Sequence, residues 1–207
     1  SFKRARQMRE IKHEQGTPEW LKSRLGCPSG SGFDKLITAA GKPSTQADGY
    51  INQLIAELIT GETTYVHVTE AMQRGTELEP MARGFYELAS GNDVNETGFC
   101  LHDTLQCGVS PDGLIGKDGG LEIKCPAPHT HVSYLREGTL PTKYKQQVMG
   151  CMWITDRQWW DFVSYHESMP ALIVRVERDD DYITLLADEV SKAVDTIQSE
   201  VNRLRKM

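Results

Sequence analysis

Asp112, Glu122 and Lys124 are the residues of this chain best placed by type and spacing to do chemistry. They lie in Ser110-Pro111-Asp112-Gly113-Leu114 and Leu121-Glu122-Ile123-Lys124-Cys125-Pro126, joined by the glycine-rich stretch Ile115-Gly116-Lys117-Asp118-Gly119-Gly120. The segment reads as two short strands around a turn, the first strand ending on Asp112. In the second, Leu121 and Ile123 alternate with Glu122 and Lys124, so a carboxylate and an ammonium share one face. Pro126 stops the strand just beyond them. Pro111 and Gly113 set Asp112 in a turn that presents its carboxylate outward. Two carboxylates and a lysine converging on one sheet edge can hold Mg²⁺, whose remaining ligands are substrate phosphate oxygens and water. Such a metal generates a nucleophile near neutral pH, and a pair of metals clamps both the attacking and the leaving oxygen. Lys124 would orient the water or offset charge in the transition state. This is the equipment for hydrolysing a phosphodiester.

Asp112, nine intervening residues, Glu122, one residue and Lys124 fit the PD-(D/E)xK nuclease pattern. The pattern is shared by many nucleases, and the same three residue types also occur on solvated sheet faces. Other groups could join the site. Glu79, in Gly75-Thr76-Glu77-Leu78-Glu79-Pro80, lies on the long helix before the strands, from which such sites draw a further carboxylate; a helical Glu is more often simply solvated. Gln147 lies on a later helix, where its amide could hydrogen-bond a water or Lys124, or face solvent. Arg24 and Ser31 flank a helix N-terminus, where N–H groups, a guanidinium and a hydroxyl make an anion pocket suited to a terminal phosphate; alone, Arg24 would read as a surface charge. Trp153, Trp159, Trp160 and Phe162 read as core rather than base-stacking groups. The six histidines, His129 and His131 among them, lack metal-cluster spacing, and His102 and Asp103 receive no role.

Those residues must be positioned by a core, and 207 residues at 39% hydrophobic and 25% charged content suffice for one sizeable domain. Thr17 and Pro18 open a helix that stops at Gly26, and a second short helix runs to Ile37. Residues 39–49 read as a flexible loop. Helices are expected at 50–59 and at 69–90, the latter bent at Gly75 and Pro80. Short strands follow over 94–124, helices over 129–137 and 142–154, strands over 159–166 and 172–176, and a closing helix over 179–206. The expected fold is α/β, a central mixed sheet flanked by helices rather than a doubly wound βαβ repeat. A helical part at about 14–90, a sheet core at about 91–178 and the last helix make one domain over 1–207. Net charge is −6, which argues against non-specific coating of DNA but not against local contacts. Basic residues cluster at the ends, at Lys3, Arg4, Arg6, Arg9 and Lys12 and at Arg203, Arg205 and Lys206. No apolar run reaches the roughly 18–20 residues of a membrane span, and the first residues lack the apolar core of a signal peptide. Five cysteines, an odd number without CxxC spacing, suggest neither disulfides nor zinc and point to a reducing cytoplasm.

Five blocks together resemble the bacteriophage lambda exonuclease family, the phage-type alkaline exonucleases used in recombination. They are Trp20-Leu21-Lys22-Ser23-Arg24-Leu25-Gly26 with Ser31, Arg74-Gly75-Thr76-Glu77-Leu78-Glu79, Cys107 to Leu114, Leu121 to Pro126, and Tyr144 to Thr155. They occur in the family's order from about Glu14 onward, and the last is the most discriminating. The resemblance implies a restriction-endonuclease-like core. It makes Asp112, Glu122 and the Ile123 carbonyl metal ligands, puts Glu79 near a second metal, and has Lys124, supported by Gln147, position the water. Arg24, Ser31 and Ser110 would bind a 5′-phosphate. It further implies a Mg²⁺ enzyme, with Mn²⁺ possible and two ions per site, that digests one strand of linear duplex DNA 5′ to 3′ and leaves 3′ overhangs for strand annealing. A ring-shaped homotrimer and a single-strand annealing partner belong to the same picture, and topology would let an acidic protein be processive. The 39–49 loop falls near the family's duplex fork but carries only Lys42, so no strand-splitting residue is assigned. The bare metal motif also fits an endonuclease of the same fold, and a catalytically inactive DNA-binding module is the remaining alternative.

Overall fold

The computed structural model describes residues 8–12, 17–64 and 69–207. Lys3, Arg4 and Arg6 of the basic N-terminal cluster, and Glu14, lie outside the described residues. Two sheets form among those described. The larger orders its strands β2 (Val94–Asn95), β5 (Gly113–Ile115), β6 (Gly119–Lys124), β7 (Trp159–Ser164) and β8 (Leu172–Glu177). Every neighbouring pair is antiparallel except β6 with β7. The smaller sheet joins β1 (Arg9–Ile11), β3 (Phe99–Leu101) and β4 (Gly108–Val109). The expected mixed sheet with flanking helices is therefore present.

Two boundaries differ from the sequence expectation, and both bear on the site. Asp112 does not end a strand; it immediately precedes β5, whose first residue is Gly113. Gly119 and Gly120 are not turn residues but the first two of β6. A Cβ on either would collide with the indole of Trp159 or Trp160, which lies across it from β7. The missing side chains thus let two tryptophans cover the start of β6. The turn itself is only Gly116 to Asp118, with Gly116 at φ +52°, a left-handed value that glycine adopts without strain.

Helix α1 (Pro18–Ser23) is capped by Thr17, whose hydroxyl accepts from Trp20 N. A six-residue 3₁₀ turn, Gly30–Lys35, follows. Helix α2 (Ala47–Thr60) begins earlier than its apolar stripe suggests, with Gly49 accommodated in its first turn. Helix α3 (Glu70–Ser90) continues through Gly75 and Pro80 and ends on left-handed Gly91. Helix α4 spans Pro128–Glu137. Helix α5 (Lys145–Thr155) is buried almost all round, as a helix that is apolar on every face must be. Helix α6 (Asp180–Leu204) buries Ile183, Leu186, Val190, Val194, Ile197 and Val201, a three-to-four-residue stripe.

The main core packs α2, α5, α6 and the 3₁₀ turn around Phe33, Leu54, Met152, Trp153, Trp160 and Leu186. A second cluster seats Ala82 and Tyr86 of α3 on Leu121, Ile123 and Val163. Leu121 and Ile123 therefore face α3, which leaves Glu122 and Lys124 on the opposite face, toward α5. Trp153, Trp160 and Phe162 are buried as core, while half-buried Trp159 carries the Arg175 guanidinium 3.6 Å above its ring. No helix among the described residues is long and apolar enough to cross a membrane.

Candidate active site

Strand β6 is held on both edges, by β5 and by β7, with Glu122 opposite Phe162 and Lys124 opposite Ser164. Glu122 is 1% exposed. Its Oε1 receives Lys124 Nζ at 2.5 Å and Gln147 Nε2 at 2.7 Å. Its Oε2 is buried with no hydrogen-bond partner. Asp112 Oδ2 accepts from Ile123 N at 2.6 Å, so this carboxylate sits against the backbone between Glu122 and Lys124. The N–H and C=O of one strand residue point to the same edge. The Ile123 carbonyl therefore faces the edge that Asp112 occupies. The ammonium of Lys124 lies 5.2 Å from the Tyr144 ring centre, a cation–π distance.

Electrostatics at the cluster are strained by burial. Desolvation, then the neighbouring Asp112 charge, pushes Glu122 up to about 8. Burial also raises Asp112, against the opposing pull of Lys124 and the Ile123 N–H. Burial by itself would lower Lys124, but Glu122 and Asp112 outweigh it and hold the ammonium above its ordinary value. Two desolvated carboxylates, one with an orphaned buried oxygen, and a carbonyl on the same edge suit a hard divalent cation. Among the described residues no three His, Cys, Asp or Glu side chains form a ready-made cage. Mg²⁺ does not require one, since it keeps several waters and takes one or two protein carboxylates.

Glu79 reaches this region from α3. It is half-buried, and burial followed by the Asp112 charge raises its pKa. Its Oε1 accepts from Arg83 Nη2 at 2.6 Å. Helix α3 is itself tied to the sheet, because Tyr86 donates to Asp161 Oδ2 at 2.6 Å and Arg175 grips the same carboxylate.

Arg24 lies just past α1, its guanidinium 4.1 Å from the Trp20 ring centre and 5.0 Å from that of Phe99. Its Nη2 donates to Ser29 Oγ at 3.3 Å, and Ser29 Oγ lies 3.5 Å from Ser31 Oγ. These groups, with Lys35 and Tyr50, line a cavity of about 220 Å³. Glu57 underlies it, accepting from Gly26 N at 3.2 Å. Since the local helix is a 3₁₀ segment of only six residues, the side chains rather than a helix terminus would carry an anion here. Gly30, between the lining residues Ser29 and Ser31, packs beside Gln147: a Cβ there would lie 3.7 Å from Cγ of Gln147, whose amide holds Glu122. Ser110 does not line this cavity; its hydroxyl is buried without a partner.

The structure brings Asp112, Glu122, Lys124 and Gln147 to one place and Arg24 and Ser31 to another. Ser29 and Tyr144 also contribute, and neither is marked by type or spacing in the sequence. Arg83 joins Glu79 at the four-residue spacing of a helical ion pair. Of the histidines, His131 is structural: its ring is buried between Ser164 Oγ at 2.7 Å and the Pro170 carbonyl at 2.9 Å.

A central strand bearing Glu122 and Lys124 beside Asp112, in a mixed sheet with helices on either face, defines a nuclease of the PD-(D/E)xK class. A family profile described as "YqaJ-like viral recombinase domain" matches residues 19–158, and the chain belongs to that family, within the phage lambda-exonuclease group. Among solved structures it is similar to an alkaline exonuclease, LHK-Exo, from Laribacter hongkongensis. The identity is 36% over 92% of this chain and 97% of that one, with a TM-score of 0.84. A structure of LHK-Exo in complex with dAMP matches at 37% identity over the same shares, with a TM-score of 0.83. A phage-related exonuclease from Haemophilus somnus 129PT shares the fold at 18% identity, over 86% of this chain and 96% of that one, with a TM-score of 0.67. No curated protein matches the sequence.

Proposed function

We propose that this chain is a Mg²⁺-dependent exonuclease that digests one strand of linear duplex DNA from its 5′-phosphorylated end. It would leave 3′ overhangs for recombination by strand annealing. The observation that carries the reading is Glu122, gripped through Oε1 by Lys124 and Gln147 and bare at Oε2, beside the Asp112 charge. Asp112, Glu122 and the Ile123 carbonyl are the ligand set, with Glu79 serving a second ion; Mn²⁺ has the same ligand preference. When bound, the metal supplies Lewis acidity at the phosphate and a water acidified toward neutral pH.

The protein's own groups do the rest. Lys124, fixed between Glu122 and the Tyr144 ring, holds the attacking water in line and offsets charge that develops on the phosphate. Gln147 keeps Glu122 turned toward the cation. Arg24, with Ser29 and Ser31, holds the terminal 5′-phosphate by charge-assisted bonds. This sets the register of the strand and hence the polarity. Ser110, next to Asp112, is assigned to the same strand's phosphate.

Residues 1–207 are read as one exonuclease domain. Exposed Met81, Phe85 and Leu88 lie along one face of α3, and this stripe supports the homotrimer. A single-strand annealing protein is the expected partner, and free thiols at all five cysteines suit a reducing cytoplasm. The test is digestion of linear duplex, labelled at either end and with or without a 5′-phosphate, beside closed circular DNA. Loss of label from phosphorylated 5′ ends with the circle intact is expected. Cutting of the circle would make the protein an endonuclease, and no cleavage would leave a binding module.

A further inference from the structure

Arg83 lies one helical turn beyond Glu79, and its side chain is only 13% exposed. Its guanidinium spans two carboxylates of different origin. Nη2 donates to Glu79 Oε1 at 2.6 Å, and Nη1 lies 3.1 Å from Glu96 Oε1 on the connection between β2 and β3. Its Nε is buried without a partner, so the two terminal nitrogens carry all of its ties. The two carboxylates differ: Glu96 is 73% exposed, whereas Glu79 is half-buried beside Asp112. The like charge of Asp112 repels Glu79, and an unrestrained glutamate has several rotamers by which to escape into solvent. A planar fork anchored at its other end removes that freedom, which a lysine, a single point of charge, cannot do.

We propose that Arg83 is a positioning residue for divalent cation at this site. By holding one oxygen of Glu79, and being held in turn by Glu96, it keeps the Glu79 carboxylate beside Asp112, available as a ligand. Its charge, like that of Lys124, also acts on Asp112. The inference rests on the assignment of Glu79 to metal made above. Partners one step removed from a metal ligand fix its orientation, and their loss weakens metal binding by roughly 10–100-fold.

The experiment is Mn²⁺ titration of the DNA-free protein by calorimetry, with the metal-free melting temperature recorded alongside. The variants are Glu79→Ala, Arg83→Met and the double variant. Arg83→Met should weaken the Glu79-dependent binding at least about tenfold, and the double variant should bind no more weakly than the weaker single one, since both remove one unit. Arg83→Lys, which keeps the charge but not the fork, should fall between wild type and Arg83→Met, and it decides the matter should the methionine variant fail to fold. Unchanged or tighter Mn²⁺ binding in the Arg83 variants, or additive losses in the double variant, would overturn the proposal. A purely structural Arg83 would lower the metal-free melting temperature and leave Mn²⁺ affinity unmoved. Should Glu79→Ala itself bind Mn²⁺ normally, the assignment of Glu79 to metal fails first. A weakened Glu79→Ala with unchanged Arg83 variants sinks this inference alone.

Discussion

The amide of Gln147 donates a 2.7 Å hydrogen bond to Oε1 of Glu122, linking the buried helix α5 to the middle strand of the sheet. Lys124 Nζ occupies the same oxygen, so two donors fill one side of the carboxylate while Oε2 has none. On the function proposed above, this geometry would orient Glu122 as a ligand before any cation arrives. Gln147→Ala removes one of the two donors and should reduce kcat by roughly 10–100-fold, with little change in affinity for a phosphorylated DNA end. Steady-state kinetics at varied Mg²⁺ check this: the half-saturating Mg²⁺ concentration should rise. An unchanged kcat and Mg²⁺ dependence would remove Gln147 from the site.

The raised Glu122 pKa has a signed consequence for stability. Its pKa in the folded protein, about 8, exceeds the ordinary 4.5, so the native state binds this proton more tightly than the unfolded chain. Stability of the metal-free protein should therefore fall as pH rises from about 4.5 to about 8. A cation that requires the ionised carboxylate binds better over the same interval. Melting curves should show Mg²⁺ stabilising the protein more at pH 8 than at pH 6, and cleavage should increase on the alkaline side. Equal Mg²⁺-induced shifts at both pH values would contradict the buried, proton-holding state of Glu122.

Arg24 is sandwiched against Trp20 and Phe99 and bonded to Ser29. Both its charge and its plane are used. Arg24→Ala should erase most of the preference for 5′-phosphorylated over 5′-hydroxyl ends, a loss of about 1.5–3 kcal/mol for a hydrogen bond to a charged group. Arg24→Lys should recover only part, because a lysine neither stacks nor forks. End-labelled substrates with each terminus measure the ratio directly, and a ratio that stays at the wild-type value would take the cavity out of phosphate recognition.

Much of the reacting centre is written in local sequence, because alternation along one strand places Glu122 and Lys124 on one face without reference to the rest of the chain. What sequence could not show depends on partners far along it. Gly119 and Gly120 look like turn residues by type, yet they are strand residues because Trp159 and Trp160 lie across them. Gly49 looked like loop for the same reason and is absorbed into α2. Ser29 gains its meaning only when Arg24 folds back over it and the Tyr50 hydroxyl accepts from its backbone N–H at 3.2 Å. Arg83 is within reach of helix spacing, but its link to Glu96 crosses from α3 to the connection between β2 and β3 and has no local signature.

The same long-range logic makes Asp161 a test of how α3 is held. Asp161 is buried on β7 directly opposite Arg175. It accepts from Arg175 on one side and from Tyr86 of α3 on the other, while Asn92 Nδ2 donates to the tyrosine hydroxyl at 3.1 Å. Asp161→Ala strands the buried Tyr86 hydroxyl without its acceptor and leaves the Arg175 guanidinium to its stacking on Trp159. Arg175 can still reach water, so the cost should lie near the low end for breaking a buried pair, about 3 kcal/mol. For a domain of this size that is a fall of roughly 6–12 °C in Tm. Tyr86→Phe removes one hydrogen bond and should cost about 1 kcal/mol. Neither residue touches the carboxylate cluster, so cleavage well below the melting transition should persist. Because α3 carries Glu79, the Asp161 variant should nevertheless require more Mg²⁺ for half-maximal activity. Calorimetric melting combined with a Mg²⁺ titration of activity separates the two effects. A destabilised protein with an unshifted Mg²⁺ requirement would show that this anchor supports the fold without setting the position of Glu79.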